Sequence, residues 1–427
     1  MTRATIVGGA LATVLVLLAV AAGYRAINQD AQPAAAASPA IPPSTTPAAG
    51  ESHPAAETHQ GFLYGRITTV DGATYEGRLR FGGDEEAFWG DTFNGTKHGN
   101  PWLAQVPPER LPKERRPIEI FGIKIGDSES PIVGRQLMAR FGEIARIEAR
   151  GREVRVTLKS GTVFDLDSLR IRSIELLPTP APGAAPYRLH GTVRTQQGDF
   201  TGFVQWNREE CVGTDELDGH TADGKLGVRF DTIRSIARRS RDSALVTLLD
   251  GREIVLSDSR EVGHANRGLY VDDRRYGRVL VSWDAFERVD FSPGGSGPAY
   301  GDFPPGHPLT GSVTARDGRR LTGRLVYDLD ESETTETLDA PSHGVNYTIP
   351  FGLIASIVLP GREARGVREA RLTLQSGEEL QLESRGDLGE GNAGILIFVD
   401  DREPPEYVPW TDIEQIELDR PAAMYPP

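Results

Sequence analysis

The sequence predicts an all-β protein assembled from tandem repeats, and three observations predict it. Apolar and polar residues alternate in short runs, as in Arg371-Leu-Thr-Leu-Gln375 and Glu379-Leu-Gln-Leu-Glu383, which is the period of a half-buried strand. The runs are joined by turn signals such as Asp71-Gly72, Asp250-Gly251 and Asp317-Gly318. In a hairpin turn of this kind Gly supplies the positive φ that other residues resist. The third observation is that the whole pattern recurs at fixed spacing along the chain.

Three stretches begin alike: Gly65-Arg-Ile-Thr-Thr-Val-Asp-Gly72, Gly191-Thr-Val-Arg-Thr-Gln-Gln-Gly198 and Gly311-Ser-Val-Thr-Ala-Arg-Asp-Gly318. They close with Phe141/Ile144/Ile147, Phe230/Ile233/Ile236 and Phe351/Ile354/Ile357. A second set starts at Val156, Val246 and Leu372, and two of its members close with Trp283/Phe286/Val289 and Trp410/Ile413/Ile416. In all six halves an aliphatic residue stands five positions before the hairpin Gly. In the last two repeats each hairpin Gly lies 32 or 33 residues before its closing aromatic. The first repeat departs from this: its first half stretches the distance to 69 residues, which places an insertion at about 100–140. The Phe-x-x-Ile-x-x-Ile spacing is too short for a helix and reads as one tight turn entering a final strand. The expected fold is therefore three repeats at 61–177, 187–292 and 306–418, each of two small SH3-like or Sm-like barrel or sandwich modules. A six-bladed β-propeller is the alternative.

Ahead of the repeats, Ala4 to Gly23 is an uncharged run of 20 residues after Arg3. That length spans a bilayer, and Ala19-Val20-Ala21 also fits a signal-peptidase site, so residues 1–25 read as a membrane anchor or a signal peptide. Residues 26–60 are rich in Ala and Pro and read as a disordered spacer. The chain has 42 Arg against 5 Lys, the bias of a GC-rich bacterial genome. The expected location is the cell envelope: anchored in the inner membrane with periplasmic repeats, or secreted if the first segment is cleaved.

Composition narrows the chemistry. The 427 residues carry a net charge of −14, the wrong sign for a phosphate backbone, so no nucleic-acid partner is expected. A single Cys, Cys211 beside two Glu residues, excludes a disulfide framework, a Cys-rich zinc site and a reactive thiol. No phosphate loop, dinucleotide fingerprint, His-Glu-x-x-His motif or supported Gly-x-Ser-x-Gly elbow stands in the chain.

The remaining candidates lie in three acidic loops that end in His: Asp91 to His98, Asp215 to His220 and Asp339 to His343. Carboxylates with imidazole suit a divalent cation, but the loop spacings differ and no metal or other cofactor is assigned. Trp89 and Trp206 border these loops as candidate ligand contacts, whereas Trp283 and Trp410 occupy the closing-aromatic position and read as core. Asn266-Arg-Gly268 and Asn392-Ala-Gly394 read as turn residues. In the insertion, Ile118 to Ile125 alternates like an edge strand, next to a basic cluster of Arg110, Lys113, Arg115 and Arg116. These features favour a non-catalytic, membrane-tethered binding or scaffold protein that recognises an envelope protein or polymer. The alternative is an envelope hydrolase acting through Asp and Glu residues between repeats.

Overall fold

The hairpin glycines set the fold. Gly72, Gly161, Gly251, Gly318 and Gly377 all have φ between +87° and +91°, where a Cβ would be strained, and Gly198 has φ +133°. From these turns the chain builds an all-β structure. The computed structural model describes residues 58–69, 72, 74–79, 87–88, 92–97, 100–107, 110, 113–120, 123–131, 135–150, 153–167, 171–180, 187–294, 297–361, 368–399 and 404–421. They lie within one compact body, His53–Pro427. The expected anchor or signal segment at 1–25 lies outside the described residues, as does the spacer up to residue 57; Thr58–Gly61 is a single 3-10 turn.

One strand order recurs. In the third segment it runs Glu379–Glu383, Glu369–Leu374, Ile354–Val358, Ile413–Leu418, Thr310–Ala315, Arg320–Tyr327, Ile395–Phe398, Glu406–Val408. In the second it runs Glu253–Ser257, Ser243–Leu248, Ile233–Ser240, Phe286–Phe291, His190–Thr195, Gly198–Gln205, Leu269–Asp273, Gly277–Val281. The first segment follows the same course through Val163–Asp167, Glu153–Leu158, Ile144–Arg150, Ile171–Leu176 and Tyr64–Thr69, then ends at Thr74–Arg78. The closing aromatics Phe141, Phe230 and Phe351 each open a 3-10 turn of three residues leading into a strand, and all three are buried.

Two expectations are corrected here. The halves of a segment are not separate modules: the last strand of the second half, such as Phe286–Phe291, lies between first-half strands His190–Thr195 and Ile233–Ser240. Nor do the sheets close into barrels, since each has two distinct end strands. The physical reason is that the edges are extended by hairpins: Glu216–Thr221/Gly224–Arg229 continues the second segment's own sheet at Glu253–Ser257, and the other edge is covered from the third segment. The hairpin Thr337–Ser342/Val345–Pro350 of the third segment pairs onto Gly277–Val281 of the second, making one sheet of 12 strands. Such a sheet is also incompatible with six separate propeller blades.

The core follows this junction. Tyr347 of the third segment meets Phe200 and Tyr276 of the second edge-to-face, with ring centroids 5.9 Å and 5.5 Å away. Aromatic pairs in this geometry add stabilisation beyond their buried area. Trp206 is wholly buried, stacked edge-on to Phe286 at 5.4 Å, and its indole N–H donates to the Glu261 carbonyl at 2.9 Å.

The first segment is held differently. The insertion is placed inside its hairpin Thr92–Lys97/Arg135–Arg140. Trp102, Leu103 and Val106 of the insertion pack on Val326, Leu329 and Tyr407 of the third segment. Lys97 Nζ lies 2.8 Å from Asp330 and 2.7 Å from Glu336, all three side chains no more than 10% exposed. Burial opposes the Lys97 charge, but Glu336 and Asp330 outweigh it and raise the pKa. The single edge strand expected over Ile118–Ile125 is a hairpin instead: Lys113–Ile120 pairs with Ile123–Pro131, Ile120 opposite Ile123.

Lys97→Met is expected to cost about 3–5 kcal/mol, because it leaves two buried carboxylates without their cation. Urea unfolding of the full chain measures this; a loss below about 1 kcal/mol would mean the three groups are solvated and the contact is weak.

Candidate functional site

The acidic loops of the second and third segments share one construction, and it serves the backbone. Asp215 accepts the amides of Cys211 and Val212 at 2.8 Å and 3.0 Å. Glu336 does the same for Ser332 and Glu333 at 2.6 Å and 3.0 Å. Both loops turn through two residues with positive φ, Asn207 and Arg208 in one, Asp328 and Leu329 in the other. The side chains of Asn207 and Asp328 then accept the amides of Arg267 and Ala393. Asn266 and Asn392 are turn residues as expected: each Oδ1 accepts the amide two residues on, from Gly268 at 2.7 Å and Gly394 at 2.8 Å.

This assignment fixes the predicted candidates. His220 is an exposed strand residue, and His343 is exposed in a turn with φ +48°. Asp339 is mostly buried, which raises its pKa, and its amide donates to Asp387 at 2.7 Å. Trp206 belongs to the core and presents no ring face to a ligand. Trp89, Asp91 and His98 lie outside the described residues. Among the described residues, no three His, Cys, Asp or Glu side chains come together in a way that could hold a metal ion.

What the sequence did not single out is a pair of carboxyls beneath each loop. Burial, with Glu261 beside it, pushes the Glu210 carboxyl up to about 8. Burial likewise pushes Glu261 up to about 7, against the amide of Asp218 that it accepts at 2.6 Å. The counterparts in the third segment are Glu331, raised well above the usual carboxylate range by burial and then by Asp330, and Asp387, pushed up to about 7 by burial and then by Asp339.

The candidate binding site is a cleft of about 950 Å³ in the third segment. It lies beside a connection that differs in length between the two segments. Strands Ile233–Ser240 and Ser243–Leu248 of the second segment are joined by Arg241-Asp242, whereas their counterparts Ile354–Val358 and Glu369–Leu374 are joined by residues 359–368. The short connection seals the second segment: the Arg241 carbonyl accepts the Trp283 indole N–H at 2.8 Å, and Trp283 is only 3% exposed. In the third segment the matching Trp410 is half-buried and lines the cleft. The pair Asp242 and His264 is likewise replaced by Arg368 and Glu390, 4.0 Å apart.

Arg316, Arg368 and Arg385 converge on this cleft. Arg316 ties its walls, donating to the carbonyls of Thr411 at 3.2 Å and Pro360 at 2.8 Å. Arg385 is ion-paired to Glu383 at 3.3 Å. Ser384 Oγ is buried in the lining with no hydrogen-bond partner among the described residues, a polar group left for something to satisfy. Next to the lining, Gly386 has φ +60° and lies so near strand Thr337–Ser342 that a Cβ would stand 2.3 Å from the Asp339 carbonyl. A signal for the cleft was present in the sequence, as the added length between matching strand runs.

A carboxyl whose pKa is higher folded than unfolded takes up a proton on folding. It therefore favours the native state below the unfolded value and loses that advantage as pH rises through the folded one. Glu210→Gln stays neutral throughout, so its melting temperature relative to the parent chain should climb steadily between about pH 5 and about pH 9. Thermal unfolding by circular dichroism tests this; a pH-independent difference would mean that Glu210 ionises as a free carboxyl does. No protein-family model, curated protein or solved structure matches this chain.

Proposed function

We propose that the chain is three tandem copies of one β unit, the first remodelled, and that it is a non-catalytic binding protein of the bacterial envelope. In this reading residues 1–25 direct export and tether the protein, residues 26–60 space it from the membrane, and the third unit grips an envelope protein or polymer in its cleft. The repeat reading rests on the recurring strand order and on the matched Gly, Phe and Asn positions. The binding reading is carried by one observation: the third segment has a cleft, lined by Trp410, where the second segment is sealed over Trp283. Lengthened loops on a repeated scaffold are where recognition is added without disturbing the core.

The cleft suits an extended, largely polar partner with anionic groups. Three guanidinium groups offer planar donors to carboxylates, and Trp410 offers an aromatic wall. The hydrolase reading has less to rest on. Of the carboxylates in the lining, Glu383 is ion-paired and Glu390 is 96% exposed, so neither is set as the buried acid of an acid–base pair.

A photo-crosslinking residue in place of Glu390, in the full chain expressed in a bacterial host, tests the binding role. A discrete adduct is expected that disappears when Arg385→Glu and Trp410→Ala are added. Adducts that persist unchanged in that background would overturn the cleft as the binding site.

A further inference from the structure

The cleft aside, the second segment carries an uncovered strand edge. Gly224–Arg229 ends the 12-stranded sheet and, among the described residues, pairs on one side only, with Glu216–Thr221. Its counterpart in the third segment, Val345–Pro350, pairs on both sides, taking Gly277–Val281 of the preceding segment as its outer neighbour. By the same arrangement the first segment would supply the neighbour of Gly224–Arg229, but its strand order stops at Thr74–Arg78, two strands short. Tyr75, the match of buried Phe200, is accordingly 64% exposed.

We propose that Gly224–Arg229 is a docking edge that receives an extended strand from another protein by main-chain pairing. In the third segment Asn346 faces Leu280 and Thr348 faces Arg278 across the junction. Amides alternate in direction along an antiparallel strand, so the matching Lys225 and Gly227 turn theirs outward. Residues 224–227 are exposed, and the two glycines leave the backbone open to close approach. Leu226, 36% exposed, holds the place of Tyr347, whose neighbour across the junction is Val279. The incoming strand is thus apolar where it meets Leu226, in the manner of Arg278-Val279-Leu280-Val281. A second copy of this chain fits poorly. Twofold pairing about Gly227 would set Lys225 of each copy against Arg229 of the other, and like charges directly opposite are destabilising.

A fluorescein-labelled peptide spanning Tyr276 to Trp283 is the probe, titrated into the full chain by fluorescence anisotropy. Saturable binding below millimolar is expected. Gly227→Pro, which removes an outward amide, should weaken it about tenfold or more with an unchanged circular dichroism spectrum. Leu226→Asp keeps every amide and should weaken it to a similar degree by removing the apolar contact. Absence of saturation, or equal affinity for a natively folded Gly227→Pro chain, would overturn the proposal. So would a concentration-dependent dimer that Gly227→Pro abolishes, since the occupant would then be a second copy. Neither variant touches the cleft, so failure here leaves the reading of that site standing.

Discussion

A β-strand with no neighbour presents a row of unmatched donors and acceptors, and each segment of this chain produces such strands at its ends. The pairing of Val345–Pro350 with Gly277–Val281 answers that problem for the second and third segments. It converts two open edges into the interior of a single sheet and brings Tyr347 against Phe200 and Tyr276. Because the contact is made by backbone, it fixes register; because it is lined by aromatics, it is also the centre of the largest core. The first segment lacks the strands for this solution and is fastened by side chains instead. Phe62 packs on Cys211 and Val212, Phe303 fills the first core beside Gly142, and Lys97 is sunk between Asp330 and Glu336. The two modes differ in kind: sheet continuation is neutral and insensitive to pH, whereas a buried cation between carboxylates depends on their charge.

The acidic loops follow from the same need to satisfy backbone. A chain leaving one strand and turning back through two residues of positive φ exposes amides that no neighbouring strand can reach. Asp215 and Glu336 accept pairs of them, and Asn207 and Asp328 accept one each from the loops that carry Asn266 and Asn392. Acidic side chains accept without donating, which is what such turns require. Burying carboxyls under a folded loop then raises their pKa, as at Glu210 and Glu331 and, despite an accepted amide, at Glu261 and Asp387. The high acid content of this region thus records turn construction.

Much of the fold was legible because it is local. Positive-φ glycines, period-two runs and the aromatic that begins each 3-10 turn are properties of a few residues, and they were read at the right positions. Pairing partners were not legible. Nothing in Phe286-Glu-Arg-Val-Asp-Phe291 says that it lies between His190–Thr195 and Ile233–Ser240, since alternation reports which face is buried and not which strand is adjacent. The same limit misplaced Trp206. Its neighbourhood in sequence is acidic, but its ring is turned into the core and its N–H is spent on the Glu261 carbonyl. Trp283 and Trp410 occupy matching positions, so only the connection packed against them separates a sealed aromatic from a lining one.

The connection between two matching strands is where the third segment differs most from the second. Lengthening a surface connection from two residues to ten adds only about 1–2 kcal/mol of closure entropy. The strand pairing beside it is shorter: it ends at Val358 opposite Arg371, whereas in the second segment it continues through Arg238 opposite Ala244 to Ser240 opposite Ser243. In the second segment the Arg241 carbonyl satisfies the Trp283 indole and closes over it. In the third segment Trp410, a buried Ser384 hydroxyl and the side chains of Arg316, Arg368 and Arg385 line a common space. Arg316 also braces the longer connection against the turn that carries Trp410, through its bonds to the Pro360 and Thr411 carbonyls. The cleft therefore goes with the absence of a cap that the second segment has, and with the shorter strand Ile354–Val358 that stands where Ile233–Ser240 runs on.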